Sequence, residues 1–141
     1  MVVRIEAFVV MLLALGGVAI VAQSQPPPAE APFKQVATID ALMHGQEVHL
    51  KTIEQLLADA TTKDRLSLLH LEAAVLAELA NVNILHRKAI DYRAWAADVR
   101  ETSLDLSNEA ARKNANEATM KLQVERIKAT CTSCHEKYGE G

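Results

Sequence analysis

The sequence predicts an all-α protein, an antiparallel up-down-up-down four-helix bundle. Three observations lead to this fold class. Residues 33–138 contain no proline and a single glycine, Gly45. Apolar residues recur there at helical spacing and do not alternate as they do in strands. Good helix formers such as Ala, Leu, Glu, Lys and Gln dominate the stretch. Four amphipathic helices joined by short loops pack antiparallel, which gives the up-down-up-down order.

The helix boundaries are predicted from capping chemistry, because glycine and proline mark almost none of them. The predicted helices span residues 32–59, 61–88, 91–111 and 114–138. Pro32 suits the first turn of the first helix. Thr61, followed three residues later by Asp64, resembles a capping box that opens the second helix. Asp91 is the predicted cap of the third helix, and Asn114 is the predicted cap of the fourth.

The N-terminal part of the chain has a different composition. Residues 1–22 are expected to form a signal peptide or an N-terminal anchor, since residues 7–22 are almost wholly apolar. A membrane span needs about 20 apolar residues, and this run is shorter, which favours cleavage after Ala22 over retention. Residues 23–31 are a Pro-rich linker, and residues 32–141 are the bundle. We therefore expect export to the periplasm, with membrane attachment only if the first segment is retained.

Charge and composition restrict the function. The formal net charge is −3, and no basic stripe is present, so nucleic acid is not an expected partner. No nucleophile–base pair or paired-carboxylate pattern stands out, so an enzyme is not expected. The predicted bundle has only four aromatic residues, which leaves volume for a large flat cofactor. These are Phe33, Tyr92, Trp95 and Tyr138.

The strongest motif is Cys131-Thr-Ser-Cys134-His135, the attachment sequence of c-type haem. Each thiol adds to one vinyl group of the porphyrin, and the adjacent histidine reaches the iron from one face. On a helix, Cys131 and His135 are four residues apart and share a face. The motif predicts one covalent haem c per chain. An exported chain agrees with it, because the c-type linkage is made on the outer side of the membrane.

The cysteine pair has three other interpretations. A thioredoxin-like redox pair lies at a helix start beside a strand, and no strand is predicted here. A structural zinc site needs further ligands, which another histidine could partly supply. A disulfide between Cys131 and Cys134 inside a helix would be strained and would close a very short loop. Haem is the favoured interpretation, and a non-haem bundle with a structural metal or redox thiols is the less favoured alternative.

With its four predicted helices and the order Cys-x-x-Cys-His-x-x-Tyr ending at Tyr138, the chain resembles the cytochrome c′ superfamily, with the low-spin Met-ligated branch as the candidate subgroup. The resemblance covers residues 33–138 and includes Trp95 early in the third helix. It implies an exported bundle in which Trp95 and Tyr138 pack against the haem. The family commonly has a basic residue directly after the aromatic one, where this chain has Gly139. Lys137 or Arg126 could take that role.

The sixth iron ligand determines the function, and the sequence offers several candidates. These are Met43, His44, His49, His70, His86 and Met120. Met120 lies about 22 Å from His135 along the same helix and cannot reach the iron. Met43 lies in an apolar row with Val36 and Ile39, at the level of His135, and low-spin relatives of cytochrome c′ use a methionine of the first helix. His49 is the weaker alternative.

Ligation by His135 and Met43 suits one-electron transfer with a redox partner protein in the same compartment. An open iron would instead bind nitric oxide or carbon monoxide, as high-spin members of the family do. A homodimer through the bundle helices is a candidate assembly.

Overall fold

The computed structural model describes residues 34–139, and these residues form four α-helices and no strand. The helices are α1 Ile39–Ala58, α2 Arg65–Asn83, α3 Ile90–Ala110 and α4 Glu117–Tyr138. The predicted all-α class is confirmed. The predicted signal peptide or anchor at 1–22 and the linker at 23–31 lie outside the described residues. None of the helices within 34–139 is long and apolar enough to cross a membrane.

Contacts between opposite ends of the helices establish the up-down-up-down topology. The segment before α1 meets the end of α2, the start of α2 meets the end of α3, and the start of α3 meets the end of α4. The hydrogen-bonded pairs that show this are Gln35–Val82, His70–Ser107 and Asp91–Tyr138. Each helix therefore runs opposite to its neighbour, and the four form a bundle.

The first and fourth helices begin later than predicted, because a different side chain caps each of them. The first helix begins at Ile39 and not at Pro32, since the Thr38 hydroxyl accepts a hydrogen bond from the Ala41 amide at 3.2 Å. The cap of α4 is Asn116 and not Asn114, and its side chain accepts from the Thr119 amide at 3.1 Å. Both caps satisfy an amide that has no partner within its own helix.

The capping box predicted for the second helix is wrong. Asp59, which follows α1, accepts hydrogen bonds from both the amide and the hydroxyl of Thr61, at 2.9 and 2.6 Å, so Thr61 belongs to a turn. Asp64 precedes α2 in the left-handed conformation, with φ of 56°, and makes no side-chain cap. The helix ends at Asn83 and not near residue 88, so His86 lies in the connection to α3.

The predicted cap of the third helix is also wrong. Ala89 precedes α3, and Asp91 lies within its first turn. The Asp91 carboxylate is directed to the end of α4, where it accepts a hydrogen bond from the Tyr138 hydroxyl at 2.7 Å. A tertiary contact therefore uses the side chain that was expected to serve its own helix.

The core is aliphatic and contains side chains from all four helices. Six large apolar residues are almost completely buried: Ile53, Leu69, Leu76, Leu106, Met120 and Ile127. Each contributes about 1.5–3 kcal/mol relative to exposure in water. Met120 lies in this core, in agreement with its exclusion as an iron ligand. Val36, which the apolar row included, precedes α1 and is 87% exposed.

The packing around the bundle is uneven. Each helix packs closely against the next one along the chain, whereas α1 and α4 touch in few places. A salt bridge of 2.9 Å between Glu54 and Lys128 joins α1 to α4. Toward the end of α4 the two helices leave a cleft, and the cysteine motif lies on its α4 side.

Candidate cofactor site

The motif residues lie in the last turns of α4. Cys134 is buried, Cys131 is half-buried and His135 is exposed. Both cysteines carry free thiols and are not joined in a disulfide. Three residues with the chemistry of haem attachment are therefore available on one stretch of helix.

Three adjoining recesses surround these residues, and Met43 and His135 line all three. The inner recess has a volume of about 20 Å³ and is further lined by Gln46, Asn83, Trp95, Ala96, Val99, Thr130, Cys131 and Cys134. The side recess, of about 140 Å³, is further lined by Gln46, Glu47, Leu50, Leu76, Ile127 and Cys131. The mouth, of about 350 Å³, is further lined by Ile39, Asp40, Arg87, Tyr92, Cys134, Tyr138 and Gly139. The volume of the mouth alone lies within the range typical of small-molecule and cofactor sites.

The structure brings together all but one of the residues that the sequence predicts for the site. Those that line the recesses are Met43, Trp95, Cys131, Cys134, His135 and Tyr138. Met43 comes from α1 and His135 from α4, so they bound the cleft from opposite helices. His49 lies apart from the other predicted site residues. Its Nδ1 lies 2.6 Å from a carboxylate oxygen of Glu72 on α2, and it lines none of the three recesses.

Burial determines the protonation of the two thiols. Burial first, and the neighbouring Cys134 second, raise the pKa of Cys131 to about 11. Burial also raises the pKa of Cys134. Both thiols are therefore protonated at neutral pH. Reactive redox cysteines have a lowered pKa and a populated thiolate, so this environment does not favour a redox thiol pair.

Aromatic rings frame the mouth. The Tyr138 ring meets those of Tyr92 and Trp95 edge to face, with centroids 5.4 and 6.2 Å away. The guanidinium carbon of Arg87 lies 5.2 Å from the centroid of the Tyr138 ring and 5.7 Å from that of Tyr92. No sequence motif marks Arg87 as a site residue. The feature that could have indicated it is its charge: Arg87 is a cation in the connection between α2 and α3, level with His135.

A polar clamp fixes the end of α4 directly after His135. The Asp91 carboxylate accepts hydrogen bonds from Lys137 and Tyr138. These hydrogen bonds lower the pKa of Asp91 from 3.8 to about 2, and the bond from Lys137 has the largest effect. Lys137 is one of the two cations that could replace the basic residue that follows the aromatic one in the cytochrome c′ superfamily, and it pairs with Asp91. The other, Arg126, pairs with Asp98.

Gln46 is a second site residue that the sequence analysis did not select. It lines the inner and side recesses, and its side-chain nitrogen is buried without a hydrogen-bond partner among residues 34–139. The feature of the sequence that could have indicated Gln46 is its position, because it is a polar residue that interrupts the apolar row of the first helix. An unpaired buried amide is unusual and indicates an acceptor that the protein itself does not supply.

The residues present fit a covalently bound haem. Two free thiols, an adjacent histidine and a thioether on the opposite wall surround a cleft whose side recess is lined by aliphatic side chains. Within the described part of the chain, no group of three or more His, Cys, Asp and Glu side chains converges as a metal site. Comparison with protein-family models, with curated proteins and with solved structures finds no match for this chain.

Proposed function

We propose that this protein is a periplasmic mono-haem c-type cytochrome that transfers single electrons. One observation carries the proposal. The Cys131-x-x-Cys134-His135 motif lines a cleft between α1 and α4, and Met43 lines the same cleft from the other helix. A haem attached to α4 in this cleft would have His135 on one face and Met43 toward the other.

The side chains around the cleft support this assignment. Each cysteine would hold the porphyrin through a thioether, in which sulfur bonds to one carbon of a vinyl group and the thiol proton moves to the other. Leu50, Leu76 and Ile127 offer an apolar wall for the ring. Arg87 places a positive charge at the mouth, where it suits the carboxylates that a haem carries.

Ligation by one histidine and one methionine supports electron transfer. The thioether sulfur favours ferrous iron and raises the reduction potential, as in other cytochromes c. The partner of such a carrier is a redox protein in the same compartment. Met43 is half-buried at the cleft, so its side chain is available on the side opposite His135.

A second function has one observation in its favour. The side recess next to Met43, of about 140 Å³, has room for a small ligand, so an iron without Met43 as ligand would bind nitric oxide or carbon monoxide. The non-haem alternative, with redox thiols, is disfavoured by the raised pKa values of both cysteines.

The test is expression of the full chain together with haem-maturation machinery. Mass spectrometry should show one haem added per chain, and a variant with Cys131→Ala and Cys134→Ala should lack it. The absorption spectrum of the ferrous protein then separates the functions. A sharp low-spin α band supports the electron carrier, and a broad high-spin spectrum supports the gas-binding protein. A chain of unmodified mass with two free thiols would refute both.

A further inference from the structure

Gln46 has an environment that the proposed function leaves unexplained. The residue is 9% exposed, in the middle of the cleft wall that α1 forms. Its side-chain nitrogen is fully buried and has no hydrogen-bond partner within residues 34–139. An amide taken out of water without a partner destabilises a fold, and an apolar side chain of similar size would fill the position better. The donor therefore points to a ligand as its partner.

The position of Gln46 identifies the side of the cleft on which that ligand lies. Gln46 is three residues after Met43, nearly one turn along α1, and both side chains line the inner and side recesses. The cysteines and His135 line these recesses from α4. A flat group held by Cys131, Cys134 and His135 would turn its opposite face toward α1. Gln46 would then meet that face beside Met43.

A porphyrin offers few hydrogen-bond acceptors to such a donor. Its nitrogens are bound to iron and its ring faces are hydrocarbon, while its carboxylates project from one edge. The acceptor that a donor on the face can reach is therefore a ligand on the iron. A diatomic ligand takes electron density from ferrous iron and carries partial negative charge on its outer atom, which a buried N–H group stabilises.

We propose that the Gln46 carboxamide is the hydrogen-bond donor to a diatomic ligand bound on the Met43 side of the iron. The inference rests on the proposed haem site and adds ligand recognition to it. In the electron carrier Met43 would hold this iron position, and the diatomic ligand would be held there in a protein whose thioether is not bound. Gln46 then selects ligands with a partially negative outer atom, such as nitric oxide.

The experiment uses carbon monoxide as the probe in the haem-loaded Met43→Ala protein, whose iron position is open. Replacement of Gln46 by Leu in this background removes the donor and adds no iron ligand. The carbon–oxygen stretching band in the infrared spectrum should move to higher frequency. Carbon monoxide should dissociate about tenfold faster, as expected for the loss of one hydrogen bond. A Gln46→Asn variant retains a carboxamide donor, adds no iron ligand, and should keep the band nearer its original position than Gln46→Leu does.

Gln123 on α4 provides the matched control. It also has a buried side-chain atom without a hydrogen-bond partner, but it lines none of the three recesses. Gln123→Leu should leave the infrared band and the dissociation rate unchanged.

The outcomes separate this inference from the proposal on which it rests. An unshifted band in the haem-loaded Gln46→Leu protein overturns the role of Gln46 and leaves the cytochrome assignment intact. An equal shift in the Gln123→Leu control also overturns it, because the effect would not depend on the cleft. A chain that acquires no haem overturns both. If the Leu variant does not fold, Gln46→Ala in the same Met43→Ala background also removes the donor, and an unshifted band in that variant refutes the inference.

Discussion

Tyr92→Phe should destabilise the bundle by more than the loss of one surface hydrogen bond. Tyr92 is 1% exposed, and its hydroxyl donates to the side-chain oxygen of Asn83 at 2.6 Å. Asn83 is 4% exposed, so the substitution leaves a buried acceptor without this donor. Such a group costs about 1–3 kcal/mol. In a domain of this size each kcal/mol lowers the unfolding midpoint by about 4–8 °C, so we expect a loss of at least about 4 °C.

The assay is thermal and urea unfolding followed by circular dichroism, with the cofactor content of each sample held equal. Tyr138→Phe is the control, because it removes the same hydroxyl from a half-buried residue that bonds to Asp91. Asp91 keeps its hydrogen bonds from Lys137 and from the Tyr92 amide, so no acceptor is left unpaired. Tyr138→Phe should therefore cost less than Tyr92→Phe. An equal or larger loss in the Tyr138 variant would show that burial of Asn83 does not set the cost.

Three further predictions concern the site and its surroundings. Met43→Ala should change the haem spectrum from low to high spin and lower the reduction potential. His49→Ala should leave the absorption spectrum nearly unchanged. Equal spectral changes in the two variants would exclude Met43 as the ligand. The pKa of Asp91 is lowered from 3.8 to about 2, so its stabilisation is present above about pH 4 and is lost as the pH falls toward 2. The melting temperature of Asp91→Asn should therefore fall less than that of the wild type between pH 4 and 2, and parallel curves would contradict this. The double Cys131→Ala, Cys134→Ala variant should be less helical and melt lower than the haem-loaded protein; identical circular dichroism spectra and melting curves would show that the bundle closes without the cofactor.

Helical periodicity was sufficient to predict the fold class, because the buried residues of each helix recur at the spacing of one helical face. Ile53 and Leu57 on α1 are both buried, and so are Leu69 and Leu76 on α2, as the helical spacing of these apolar residues requires. The helix starts were harder to predict, since neighbouring polar residues compete for the same role. Asp59, for example, binds Thr61 and thereby prevents it from capping α2.

The cysteine motif could be read from the sequence because its chemistry depends on local spacing. Arg87 and Gln46 could not be selected in this way, since their roles depend on which residues the bundle places next to them. Arg87 lies in a connection, and only the packing of α3 against α4 brings both Tyr92 and Tyr138 to its guanidinium. The polar character of Gln46 in an apolar row was visible, but its unpaired nitrogen was not.

The uneven packing of the bundle also explains why the cleft lies where it does. The large aliphatic residues of α1 beyond the cleft, such as Ile53 and Leu57, are buried in the core. At the other end of α1, Met43 and Leu50 remain half-buried, and Cys131 on α4 has the same intermediate exposure. Apolar surface left partly in water is a source of stabilisation for any flat apolar group that covers it. A cofactor attached at Cys131 and Cys134 would therefore complete the core between α1 and α4, so that attachment and stability of the fold depend on the same side chains.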